Sequence, residues 1–333
     1  MIKTEVYGEY VEHRVIEKKD EEKSLRKTRH LTRRTSEIIF IVAMLFFPIL
    51  QFIIFWIVPN FNSIILGFQS PTDGSFTLLN FKTFFKNMFD GKNMSGRYNE
   101  IVYAFKNSLI FAAVSIFICT PIVVFFSYVL FRKVPMSGVF KVVFYLPSII
   151  GATVTTTLFR ALLLEGAPIF ELLKKIGFLT PQMEQLGLFA NDSTAFLMVI
   201  IYSIWTCVGI NMILFYGAMR RIPTEIFESA DIDGAGFFRQ FKSLVVPLIW
   251  PTITTLIVFS LSGMFITYST VMILCPTVEK ASMIGWYIVR DTTSSHSRLN
   301  YAAAVGLSFT AVGLPFVLVI RWLLNKVSAN VEY

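Results

Sequence analysis

Charge is scarce in this sequence: only 16% of its 333 residues are Asp, Glu, Lys or Arg, against about a quarter in an ordinary soluble domain. It is scarcer still where the chain is most apolar. Six long hydrophobic stretches have cores without a single Asp, Glu, Lys, Arg or His. Carriers driven by protons keep ionisable groups inside the membrane because the coupling ion must bind there. Their absence therefore argues against a proton relay, and less strongly against sodium, which backbone carbonyls alone can hold. A G-x-x-x-x-G-K-[ST] phosphate loop is also missing, so the chain has no recognisable means of binding ATP by itself. The three histidines, His13, His30 and His296, are far apart and form no H-E-x-x-H motif, which leaves a membrane-embedded enzyme without a catalytic constellation. Three scattered cysteines, Cys119, Cys207 and Cys275, lack metal-ligand spacing and read as small apolar packing residues. No cleavable leader is evident. The polar amino-terminal part is too long, the apolar stretch after it spans a bilayer, and no small-residue cleavage site follows.

What is abundant is hydrophobic length. Apolar residues make up 54% of the chain, with 34 Phe. Ile38–Val58, Ser108–Phe131, Val142–Phe159, Ala195–Ala218, Leu248–Leu274 and Tyr301–Trp322 each approach or exceed the ~20 residues a spanning helix needs. The formal net charge of +8 does not call for nucleic acid as a partner, because the basic residues sit beside these stretches. The amino tail, Arg132-Lys133 with Lys141, Arg220-Arg221 with Arg239 and Lys242, and finally Arg321 and Lys326 fall on alternate connections. By the positive-inside rule those connections are cytoplasmic. The expected fold is an all-α polytopic membrane protein with six transmembrane helices and both termini in the cytoplasm. Its expected parts are a charged tail over residues 1–36, a first span over 37–59, an extracellular segment over 60–107, a five-helix core over 108–324 containing a cytoplasmic loop over 219–247, and a tail over 325–333. Amphipathic patches in the outer segments, such as Phe170-Glu-Leu-Leu-Lys-Lys175, suit a membrane surface or an outer mouth.

The loop carries the most information. It lies within Gly217 to Pro251, GAMRRIPTEIFESADIDGAGFFRQFKSLVVPLIWP. Pro223 can open a short helix, where its missing N–H costs nothing. Glu225 and Glu228 suit the positive end of the helix dipole. Ile226, Phe227 and Ala230 give the helix an apolar side. Asp233-Gly234 allows a sharp reversal, and a second helix from Gly236 to about Val245 precedes Pro247 and Pro251. Such a helix–turn–helix between two spans forms a knob able to enter a cleft in a cytosolic partner.

Glu228-Ser-Ala-Asp-Ile-Asp-Gly-Ala235, the Phe-rich helix after it and Leu244-Val-Val-Pro247 resemble the signature loop of binding-protein-dependent ABC importer permeases. Ser229 stands where that family usually has Ala. Trp205, Gly209-Ile-Asn211 and Ile222-Pro223 resemble the sugar-importing branch. The resemblance implies a type I importer fold and a channel-forming subunit. The implied partners are a second, homologous permease, two cytoplasmic ATPases that bind ATP and Mg, and an extracellular solute-binding protein. Glu228, Ser229, Ala230, Asp233, Gly234, Ala235, Phe237 and Phe238 would then couple the chain to an ATPase. Glu228 would make the charged contact, and the small residues would allow close approach.

Polar groups inside the stretches are neutral. Ser203, Cys207 and Asn211 share one helical face by i, i+4, i+8 spacing, and Ser260, Gly263, Met264 and Thr267 share another. With Thr156 and Thr206 they are candidates for a pathway suited to an uncharged, hydroxyl-rich solute such as an oligosaccharide, although the same residue types also serve interhelical packing. A different solute class, or a secondary transporter, is the alternative.

Overall fold

The structure is a computed structural model that describes residues 35–90, 99–132, 134–294 and 298–328. The charged amino tail up to residue 34, the three histidines, Lys133 and residues 329–333 lie outside them. The chain divides into two units, one up to Ile65 and one from Leu66 on.

In the first unit the described residues belong to helix α1, Thr35–Gly67, whose side chains up to Ile65 are all exposed. From Ile38 to Pro59 every residue but Gln51 is apolar. A helix that is hydrophobic all round is stable only in a hydrocarbon or protein surround.

The second unit is a helical bundle among its described residues. Its elements are α2 (Leu79–Phe89), α3 (Glu100–Phe131, with a π turn at Ser115–Cys119), α4 (Ser137–Ile149) and α5 (Ala152–Leu162). Next come α6 (Pro168–Lys175), α7 (Pro181–Ala190), α8 (Ala195–Met219, bent at Cys207) and α9 (Thr224–Ile232). The chain continues through α10 (Phe237–Leu248) and α11 (Trp250–Ile266), α12 (Ser269–Leu274), α13 (Ile284–Ser294) and α14 (Leu299–Ser328). Four helices, α1, α3, α8 and α14, are long and apolar enough to cross a membrane. The bent pairs α4/α5 and α10/α11 bring the total to six if each counts as one span.

The third stretch, read as one helix over Val142–Phe159, is broken. α4 and α5 meet at 101°. Pro147 sits inside α4 and cannot donate an amide hydrogen, and Ile150 is extended with ψ 134°. The Thr155 hydroxyl lies 3.2–3.3 Å from the carbonyl oxygens of Pro147, Ile150 and Gly151, and so fills the gap that the break opens. The fifth stretch is shorter than Leu248–Leu274. α11 ends at Ile266 because Thr267 turns to ψ 112°, and α12 is a separate helix packed on α5.

The core follows helical arithmetic. Val208, Met212, Phe215 and Met219 form an i, i+4, i+7, i+11 stripe, all buried, while Ile213 and Leu214 on the other side of the helix are exposed. This stripe faces Val123, Val124 and Tyr128 of α3 and Ile249 and Ile253 near the start of α11. A second cluster, around Phe170, Phe189, Met198 and Leu274, forms near the amino end of α8. The stretch Ala281–Tyr287, which sequence placed in an outer connection, is buried throughout. It is held by Asn107, whose amide donates to the Lys280 and Ser282 carbonyls at 2.8 and 2.9 Å, and by Glu100, which takes both the Ser282 hydroxyl at 2.6 Å and Arg290.

Candidate functional site

Pro223 is the N-cap of α9, and the helix itself starts at Thr224 with Glu225 in its first turn. Its end is closed by two backbone hydrogen bonds. The Ala235 N–H donates to the Ala230 carbonyl at 2.9 Å and the Gly234 N–H to that of Asp231 at 3.1 Å. This is a Schellman arrangement, which requires a left-handed residue after the C-cap. Gly234 supplies it with φ +68°. The Asp233-Gly234 reversal read from sequence thus has a definite geometry.

α10 then returns alongside α9, and one side chain joins the two. Gln240 is 1% exposed. Its Nε2 donates to Asp231 Oδ1 at 2.5 Å and to the Ala235 carbonyl at 2.7 Å, while its Oε1 is covered and finds no partner among the described residues. The knob is fixed to the rest of the bundle through the carboxyl end of α3. Tyr128 is fully buried, donates to the Phe237 carbonyl at 3.3 Å, and packs its ring against Phe237 and Phe241. Phe131 packs on the buried Phe227 with ring centroids 5.4 Å apart. Arg132 covers the same ring at 6.0 Å and stands 3.9 Å from Asp231. Asp231 is 56% exposed, so that ion pair adds little. Packing and the Gln240 bonds hold the loop.

The candidate coupling residues therefore split into two sets. Ala230 is buried within this chain, and Phe237 is half-buried on Tyr128. Glu228, Ser229, Asp233 and Gly234 are exposed, with Ala235 half-buried between them. Ile232 and Phe238, 87% and 70% exposed, add apolar surface to the tip. Ser229 donates back to the Glu225 carbonyl at 2.8 Å. The tip thus presents the carboxylates of Glu228 and Asp233, a glycine turn and two apolar side chains. Such a surface is suited to enter an apolar cleft with a cation at its rim. Sequence reading missed Tyr128, Arg132 and Gln240, which position the tip. Only the isolation of the Gln240 amide among phenylalanines hinted at it.

The intramembrane candidates are mostly occupied locally. Thr156 is buried, pairs with the Tyr202 hydroxyl at 2.8 Å and lies 2.7 Å from the Ala152 carbonyl. Ser203 and Thr206 donate to the Val199 and Tyr202 carbonyls at 2.8 and 3.0 Å. Asn211 donates to Cys207 at 3.1 Å, Cys207 to Ile204 at 3.1 Å, and Thr267 to Gly263 at 2.8 Å. Ser260 and Gly263 are half-buried. Met264 belongs to the large apolar cluster of the bundle, and Cys207 packs against that cluster. No hydrogen bond joins the two faces among the described residues.

Residues 101–332 match the family model for the binding-protein-dependent transport system inner membrane component. The arabinooligosaccharides transport system permease protein AraP of Bacillus subtilis (strain 168) is 23% identical over 85% of this chain and 86% of its own length. The probable ABC transporter permease protein YurN of the same organism is 29% identical over 78% and 87%. A bacterial ABC transporter involved in the import of the acidic polysaccharide alginate superposes with a TM-score of 0.75 at 21% identity, over 89% of this chain and 99% of that one.

Proposed function

The chain belongs to the binding-protein-dependent transport system inner membrane components, and on that footing we propose that it forms half of the pathway of an ATP-driven importer for a carbohydrate, an oligosaccharide in particular. A solute-binding protein delivers the sugar from outside. A second permease of the same family completes the pathway, and two ATPases that bind ATP and Mg dock on the Glu228–Ala235 tip from the cytoplasm. The tip is the single observation on which this reading rests. It is rigidly tied to α3 and α10, so a push on it reaches the spans and is not absorbed by the loop. It also exposes Glu228, Ile232 and Phe238 toward whatever lies beyond the bundle. The carbohydrate assignment draws on the substrates of the relatives and on the uncharged interior of the spans.

ATP enclosed with the reconstituted complex, binding protein outside, and radiolabelled arabinotriose or an alginate trimer as solute make the test. Uptake should require ATP and survive ionophores. Glu228→Lys should reduce it at least tenfold while the subunits still assemble, since the carboxylate is exposed and carries no fold. Uptake that proceeds without ATPases and collapses with ionophores would identify a secondary transporter instead.

A further inference from the structure

At the end of the bundle opposite the tip lies a cleft of about 270 Å³ formed by the carboxyl end of α5, the last turns of α7 and the segment after α12. It adjoins the amino end of α8, so a helix of 25 residues, roughly 35 Å long, separates it from the coupling loop. Three features give it the chemistry of a ligand site. Arg160 is anchored by Nη1, which donates to the Ile273 carbonyl at 2.9 Å. Its Nε is covered and unbonded among the described residues. Glu165, in the turn after α5, is exposed and supplies an acceptor to the same cleft. Leu163 and Phe189 give it apolar walls that are themselves buried, and Phe189 is braced edge-on by Phe159. The α7 wall is opened by Gly187, which breaks the helix at φ +71° and whose missing Cβ would meet nothing within 4 Å.

We infer that this cleft is an entry subsite for one ring of an uncharged sugar. The inference rests on the carbohydrate reading above and adds to it where the solute first meets this subunit, and with what selectivity. Volume sets the size, since pockets for larger organic ligands run to roughly 300–1,000 Å³, so one ring fits and a chain does not. Charge sets the class. One guanidinium and one carboxylate offer donors and an acceptor with no net charge, which matches hydroxyls that both donate and accept. An acidic sugar or a phosphate headgroup would gain Arg160 but meet repulsion from Glu165. An acyl chain would leave both charges unpaired.

The purified permease–ATPase complex in nanodiscs, without binding protein, is titrated with arabinotriose and with an alginate trimer by saturation-transfer NMR. Arabinotriose should bind in the millimolar range and the acidic trimer at least fivefold more weakly. Thr277→Trp, at an exposed lining position, should weaken arabinotriose at least tenfold by filling the cleft. Glu165→Gln should weaken arabinotriose several-fold and narrow the gap between the two trimers. No arabinotriose binding, equal binding in both variants, or tighter binding of the acidic trimer would each overturn the subsite. Failure of the carbohydrate reading is separable: the wild-type complex would then import neither trimer in proteoliposomes. Normal sugar import alongside unaltered binding in the variants would remove the subsite alone.

Discussion

Exchanging Gln240 for glutamate replaces an amide by a carboxylate of nearly the same shape. The Nε2 of Gln240 lies 2.5 Å from Asp231 Oδ1 and 2.7 Å from the Ala235 carbonyl. In Gln240→Glu an oxygen occupies that place, and three acceptors then face one another. Two unit charges at 3 Å repel by about 5 kcal/mol at an effective dielectric constant of 20. Asp231 is 56% exposed, so solvent screening leaves about 1–2 kcal/mol of that. Loss of the two hydrogen bonds adds about 1 kcal/mol each. The closed loop is thus disfavoured by about 3–4 kcal/mol, a factor of more than a hundred in its population. In proteoliposomes at pH 8, ATP-dependent uptake should fall at least tenfold while basal ATP hydrolysis continues. Burial and the Asp231 charge raise the pKa of the introduced carboxyl. Its neutral form donates an O–H to Asp231 much as the amide did, so relative uptake should recover between pH 8 and pH 6. Gln240→Leu serves as the control. It forfeits both donated bonds but also removes the unpartnered Oε1, and should cost only about 1 kcal/mol. Wild-type uptake by Gln240→Glu at pH 8, or a leucine variant worse than the glutamate one, would refute the role given to this amide.

Gly234→Val should destabilise the loop by about 1–2 kcal/mol and impair uptake, whereas Gly234→Asn should retain most of it. At φ +68° the penalty comes from the backbone, the surrounding space being open. Gly209→Ala places a Cβ 1.7 Å from Ser148 Oγ and 3.0 Å from the Phe144 carbonyl oxygen. It should lower the Tm through about 1–3 kcal/mol of overpacking between α8 and α4, and Ser148→Gly should partly restore it. Glu100→Gln should cost about 2 kcal/mol in thermal unfolding, because the Glu100 carboxylate is 11% exposed and pairs with both Arg290 and Ser282. An unchanged Tm would mean that α13 is held by its apolar contacts alone.

Helices α1, α3, α8 and α14 were legible because about 20 consecutive apolar residues have few other uses. The breaks were not. Hydropathy averages across Pro147-Ser-Ile-Ile-Gly151 without registering that Pro147 removes an amide donor, and a kinked span and a straight one have the same composition. The burial of Ala281–Tyr287 was equally hidden, because its partners, Glu100, Asn107 and Ser108, lie more than 170 residues away in the chain. At the tip, Asp233-Gly234 could be read because one backbone conformation admits almost one residue type. Tyr128 and Gln240 could not, since nothing in the order of residues says which tyrosine meets a loop 109 positions later.

If the pathway proposed above runs along these spans, the bonding of their hydroxyls bears on the choice of solute. Ser203, Thr206 and Thr267 each donate their one hydrogen to a helix carbonyl a turn earlier in the chain, so toward a solute they offer lone pairs and no proton. Asn211 likewise has one amide hydrogen engaged with Cys207. A surface of acceptors welcomes a solute that brings donors. A neutral sugar brings one at every hydroxyl, whereas a carboxylate brings none and would exchange its water for groups unable to bond it. On the proposed reading, the same selection would be made at the Arg160–Glu165 cleft by opposed charges and along the spans by back-bonded hydroxyls. The two are separable: Ser203→Ala removes an acceptor and leaves the cleft intact. It should narrow the preference for arabinotriose over the alginate trimer in uptake without altering arabinotriose binding in nanodiscs, and a preference unchanged by Ser203→Ala would assign the selection to the cleft or the binding protein.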